Sequence, residues 1–210
     1  MPDGHLFILF FAAAVLLAVT PGPGIFYVLA RTLAGGHREG ALSALGTLAG
    51  GLVHVVAAGL GLSAVLAASA TAFAVVKYAG ALYLLWLGIS MIRSRNVEMP
   101  EAAPSLPGRH AFRQGVVTEA LNPKTALFFL SFIPQFVSPG RGHVVSQFLL
   151  LGCVSVCLNT CADLAVVSFA APIGARLRSS RRWRRKQRVV SGLAMIGLGA
   201  FVALGESRQG

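Results

Sequence analysis

Among the titratable side chains that interrupt long uncharged stretches of this 210-residue sequence are His54, Glu119, Lys124 and Asp163. A charge at membrane depth is costly and faces a partner or a water-filled cavity. Glu119 and Lys124 flank a helix breaker, Leu121-Asn122-Pro123-Lys124, and a second breaker, Thr20-Pro21-Gly22-Pro23-Gly24, splits the first apolar run. Proline removes the N–H that a carbonyl four residues earlier needs. Pro21 and Pro23 therefore free the carbonyls of Leu17 and Val19, and Pro123 frees that of Glu119. Freed carbonyls suit an ammonium, and N–H groups at the start of a half-helix suit a carboxylate. Together they could hold a zwitterion with little help from side-chain charge.

Thr20, Pro21, Gly22, Pro23, Gly24, Asn122, Pro123 and Lys124 are accordingly the candidate substrate-binding residues, with Lys124 attracting a carboxylate. Asp163 or Glu119 binds an ammonium or carries a coupling proton. The plainer alternative is an internal ion pair, Lys124 with Glu119 or Asp163, that joins helices; the two roles are compatible. His54 is a candidate proton relay or a polar contact between helices. Asn159, one turn before Asp163, lines the same cavity or bridges helices by hydrogen bonding.

These residues need elements that hold them in an apolar medium. The chain is 55% hydrophobic and 12% charged, about half the charge of a soluble domain. Its charges gather between long uncharged runs, the pattern of a polytopic all-α membrane protein. Six spans are expected: Leu6 to Ala30, Ala41 to Ala68, Phe73 to Ile92, Phe112 to Val137, Val144 to Ala171 and Val189 to Leu204. The sixth is short. No Lys or Arg precedes Leu6, so the first run reads as a retained span rather than a signal peptide. Tyr83 and Trp86 are expected to pack within the third span.

The net charge of +11 would suggest nucleic acid in a soluble protein, but its distribution argues otherwise. Eight of the 13 residues from Arg176 to Arg188 are basic, between two apolar segments. This reads as a cytoplasmic loop touching anionic lipid headgroups, with no nucleic-acid partner. Connections 1–2, 3–4 and 5–6 hold 14 of the 18 Lys and Arg residues, including Arg31 and Arg38 in the first. The positive-inside rule puts those loops in the cytoplasm and both termini outside.

The halves match. Residues 1–95 carry three spans with a break in the first, 96–111 form a Pro-rich cytoplasmic linker, and 112–210 carry three more with a break in the first. Three spans per half make the repeats inverted, and breakers at matching positions mark the central site of a secondary transporter.

At these motifs the chain resembles the lysine-exporter / homoserine–threonine-exporter (LysE-type) family of bacterial amino-acid efflux proteins. The resemblance rests on TPGPG at Thr20–Gly24, GHREGALSALGTLAGGLVH from Gly36 and VVKYAGALYLLWLGISMIRS from Val75. It continues in FRQGVVTEALNPKTALFFLSFIPQFV from Phe112 and in the basic run followed by SGLAMIGLG. It implies a six-span exporter in the bacterial cytoplasmic membrane that moves small amino acids or relatives outward, driven by the proton gradient. Asp163 falls where that family often has an acidic residue; Glu119 and the three cysteines are not part of its pattern.

Enzyme chemistry finds no support: no HExxH, GxSxG or Walker pattern occurs, and no cofactor or metal is implied. Cys153, Cys157 and Cys161, four apart on one helical face, leave a soft-metal exporter or thiol-redox carrier as the alternative. The oligomeric state stays open, a homo-oligomer included.

Overall fold

The computed structural model describes residues 4–68, 70–93, 105–137, 142–170, 172–173 and 180–204. Residues 96–104 of the linker, 176–179 of the basic run, Arg141 and Arg208 lie outside them. Every described element is helical. α1 spans Gly4–Val19, α2 Pro23–Ala68, α3 Ala70–Arg93, α4 Gly108–Ala120, α5 Pro123–Leu127, α6 Val144–Ser168 and α7 Arg181–Leu204. Pro23–Gly61 and Val144–Ser168 are each long and apolar enough to cross a membrane. Gly108–Ala120 and Pro123–Phe136, bent by 44°, make a third if the pair is taken as one span.

Both sequence breaks are real interruptions. α1 stops at Val19 and α2 starts at Pro23, where proline's fixed φ and missing N–H cost nothing. α4 stops at Ala120, and α5 starts at Pro123 with Asn122 as its cap, the Asn122 Oδ1 accepting from Lys124 N at 3.1 Å. Span 4 then continues irregularly, through a π turn at Phe128–Phe132 and a 3-10 turn at Ile133–Phe136.

Three expectations change. The first connection is no loop: α2 runs from the first break to Ala68 and reverses at Gly36, whose φ of 77° a side chain would resist. The basic run is helical from Arg181, forming the start of α7 rather than a loop. Trp86 is 60% exposed against half-buried Tyr83, so it faces outward rather than packing in the core.

Small residues bring backbones together. α2 meets α4 where a Cβ on Gly46 would collide with the Phe112 carbonyl and one on Gly115 would lie 2.6 Å from the Ser43 carbonyl. Glycine to alanine inside a helix usually adds about 0.5–1 kcal/mol of stability. At Gly46 the sign reverses: Gly46→Ala is expected to destabilise by about 1–3 kcal/mol, as overpacking does. A lower unfolding temperature in detergent than that of the parent chain is the check.

The main core is aromatic. Phe10, Phe128, Phe129, Phe132, Phe136 and Phe148 are each at most 2% exposed, and Phe136 stacks on Phe201 at 5.8 Å. Outside this core, Leu60, Leu82, Phe169 and Leu193 are more than half exposed, an apolar exterior suited to lipid.

Candidate transport site

The two breaks meet. Lys124, 6% exposed, sends its ammonium from α5 to the end of α1, where Nζ donates to the Thr20 carbonyl at 3.0 Å and the Leu17 carbonyl at 3.4 Å. These are C-terminal carbonyls of a broken helix, the end that favours a cation. Leu17 O also accepts from Thr20 N at 3.1 Å, and the Thr20 hydroxyl donates to Leu16 O at 2.6 Å. The carbonyls that the first break frees are thus served partly from the second half of the chain. Two of the three Lys124 donors are engaged there.

Glu119, 3% exposed, is held by its own segment. Oε1 accepts from Thr125 Oγ1 at 2.6 Å and Oε2 from Asn122 Nδ2 at 3.0 Å. Its backbone carbonyl, freed by Pro123, accepts from Asn122 N at 3.0 Å and His54 Nε2 at 2.9 Å. A carbonyl only accepts, so His54 carries its hydrogen on Nε2 in this contact. The His54 ring also lies 6.0 Å from that of Phe129.

Buried Gly22 and Gly24 are small because the charges come close. A Cβ on Gly22 would lie 3.1 Å from Lys124 Nζ, and one on Gly24 would lie 2.6 Å from Glu119 Oε2. Pro21 is buried, whereas Pro23 and Pro123 face outward and act on the backbone.

Asp163 is fully buried on α6, where Oδ2 accepts from Thr47 Oγ1 of α2 at 2.8 Å. Its Oδ1 has no partner among the described residues. No hydrogen bond joins Lys124 directly to Glu119 or Asp163 among them.

A cavity lies between these groups, with Lys124, Glu119, Thr47, Ser155 and Asn159 among its lining residues and Leu17, Val156, Phe128 and Phe129 as its apolar wall. Its volume of about 20 Å³ holds roughly one water and no amino acid. Of the residues singled out from sequence, Glu119, Lys124 and Asn159 line it, while Thr20 to Gly24, Asn122, Pro123, His54 and Asp163 are not among its lining residues. Thr47, Thr125 and Ser155 were missed. Hydroxyls are common in membrane helices and carry no signal alone, but Ser155 shares its face with Asn159 and Asp163 at four-residue spacing.

The aromatic core walls the cavity on one side through Phe128 and Phe129. Tyr27, Val28, Ala44 and Val167 form a separate small cluster, and a buried ion pair flanks Gly36 in sequence. Arg31 and Glu39, 4% and 6% exposed, meet at 3.1 Å, and Leu106 N donates to Glu39 Oε2 at 3.0 Å. Tyr27 donates to the Ala111 carbonyl at 2.6 Å. Arg31, counted from sequence as a loop charge, is interior.

Cys153, Cys157 and Cys161 are exposed and unpaired on α6. Each lies two residues, about 200°, from the face of Ser155, Asn159 and Asp163. The cysteines therefore point away from the cavity.

Residues 15–206 match the family described as LysE type translocator. An uncharacterized membrane protein of Pseudomonas aeruginosa is 36% identical over 91% of this chain and 88% of its own. Another, from Vibrio cholerae, is 31% identical over 96% of this chain and 98% of its own. The homoserine/homoserine lactone efflux protein of Salmonella typhi is 27% identical over 90% of this chain and 92% of its own. No solved structure matches.

Proposed function

The chain belongs to the LysE type translocator family, and on that premise we propose that it exports amino acids or close derivatives from the bacterial cytoplasm in exchange for protons. As a member of that family it is a membrane translocator, not an enzyme. The observation that carries the reading is Lys124 reaching from one helix break to the carbonyls of the other beside a small cavity with polar lining residues. A cavity this small must widen before it can admit an amino acid. Homoserine and its lactone, the cargo named for the Salmonella typhi relative, are the first candidates.

Six spans in two inverted repeats, 1–95 and 112–210 around the linker 96–111, fit the packing. α3 lies on α7, and α2, which holds the end of span 1 and all of span 2, lies on both α4 and α6; contact between the third helices of the two halves is what an axis in the membrane plane allows. In this orientation both termini are outside, the basic segment 176–188 meets anionic headgroups, and the ion-pair layer faces the cytoplasm. Asp163, buried with one oxygen unpartnered, or Glu119 carries the coupling proton, with His54 beside the break.

The test is a panel. Cells that express the chain are given inhibitory concentrations of single amino acids and of homoserine lactone, and growth and efflux are followed. Rescue by at least one compound, with net efflux that stops when the proton gradient is collapsed, is expected. Rescue by none would overturn the exporter reading; efflux indifferent to the gradient would overturn proton exchange.

A further inference from the structure

Most helical hydroxyls here are spent on the backbone. Thr32 donates to Val28 O, Ser43 to Glu39 O, Thr160 to Val156 O and Ser168 to Leu164 O, all one turn back at 2.7–3.0 Å. Ser155 differs. It is 7% exposed, its Oγ has no hydrogen-bond partner among the described residues, and it lines the cavity. Two turns on, the fully buried Asp163 leaves Oδ1 without one as well. Asn159, between them on the same face, also lines the cavity.

Thr47 faces this stripe from α2. Its Oγ1 stands 2.8 Å from Asp163 Oδ2 and 2.8 Å from Ala44 O, with one hydrogen for two acceptors. Of the other charged groups, the Lys124 ammonium gives two of its three hydrogens to Leu17 and Thr20, and each Glu119 oxygen accepts one hydrogen bond, from Thr125 or Asn122. His54 is on the Glu119 carbonyl. Acceptors, backed by a buried carboxylate, therefore outnumber the one Lys124 hydrogen that these contacts leave open.

We propose that Ser155, Asn159 and Thr47, with Asp163 behind Thr47 as the positioning residue, form the subsite that receives the cargo's ammonium group. Three acceptors match the three hydrogens of a primary ammonium. Selection at this subsite is for the protonated amine, and the carboxylate is secondary. The proposal rests on the exporter reading and gives its site a polarity.

The test uses the full chain with Cys153, Cys157 and Cys161 changed to Ala and Ser155→Cys added. It is treated with an aminoethyl and a sulfonatoethyl methanethiosulfonate, and each rate is divided by that of a small free thiol. A buried carboxylate nearby favours the cationic reagent, by about tenfold or more at the effective dielectric of such sites. Asp163→Asn in the same background is expected to bring the ratio close to one. Equal normalised rates, a ratio unmoved by Asp163→Asn, or no reaction with either reagent would overturn the subsite.

A second arm uses counterflow of labelled L-homoserine by the wild-type chain in proteoliposomes. Inhibition by homoserine lactone, which keeps the amine, but not by N-acetylhomoserine, which keeps the carboxylate, is expected; the reverse order would overturn the subsite. Absence of counterflow of any amino acid would sink the exporter reading, whereas the thiol ratio judges the subsite without transport.

Discussion

Lys124→Met is expected to lower counterflow at least about 100-fold in chains that still fold. Hydrogen bonds to a charged group contribute about 1.5–3 kcal/mol each, and Lys124 supplies two to the end of α1, one of them long. Taking the lower value for each gives about 3 kcal/mol, which is roughly 100-fold in the equilibrium that keeps the two breaks engaged. Lys124→Arg is not expected to rescue it: with a Gly22 Cβ position already 3.1 Å from Nζ, a planar guanidinium does not fit. Lys124→Gln, keeping a donor without the charge, should fall between. Full counterflow by the Met variant would remove Lys124 from any essential role at the break.

Glu39→Gln is expected to cost about 3–5 kcal/mol of stability, the usual penalty for leaving one charge of a buried pair uncompensated. Both side chains of the Arg31–Glu39 pair are nearly fully buried, and Glu39 also receives the Leu106 N–H. Replacing both, Arg31→Met with Glu39→Met, should recover most of the loss, since an apolar pair avoids the desolvation of two ions. Unfolding in detergent of the single and double variants forms the cycle that measures the coupling. If Glu39→Gln unfolded like the parent chain, the pair would not be a stabilising layer. The pair ties both arms of the Gly36 reversal to the linker through Leu106.

Much of this was readable from the sequence, for identifiable reasons. Pro21, Pro23 and Pro123 dictate where helices stop, because a missing N–H cannot be supplied by context, and α1, α2, α4 and α5 end or begin beside them. Lys124, Glu119 and Asp163 stand out because charge inside an apolar run needs a reason. What they touch was not readable. Lys124 spends two of its three donors on carbonyls more than a hundred residues away in sequence. No local pattern encodes such a contact. The same limit hid the Arg31–Glu39 pair: Arg31 looks like a loop charge until Gly36 turns the chain and brings Glu39 back to it. The basic run looked like a loop because its charge was counted and its helical continuity into α7 was not. Ser155 and Thr47 were silent because a hydroxyl on a membrane helix normally returns to its own backbone; Ser155 does not, and Thr47, which does, also meets Asp163 across the packing of α2 on α6.

The measurement that tests the central claim most directly is exchange by the purified chain alone. Liposomes holding the protein and a high internal concentration of one unlabelled amino acid are given a trace of the same compound labelled, with no ion gradient. Transient accumulation of label for homoserine or another amino acid, lost in Lys124→Met, is the expected result. If folded protein accumulated no label with any amino acid or with homoserine lactone, the cavity between the two breaks would not be an amino-acid site, and the exporter reading would be contradicted.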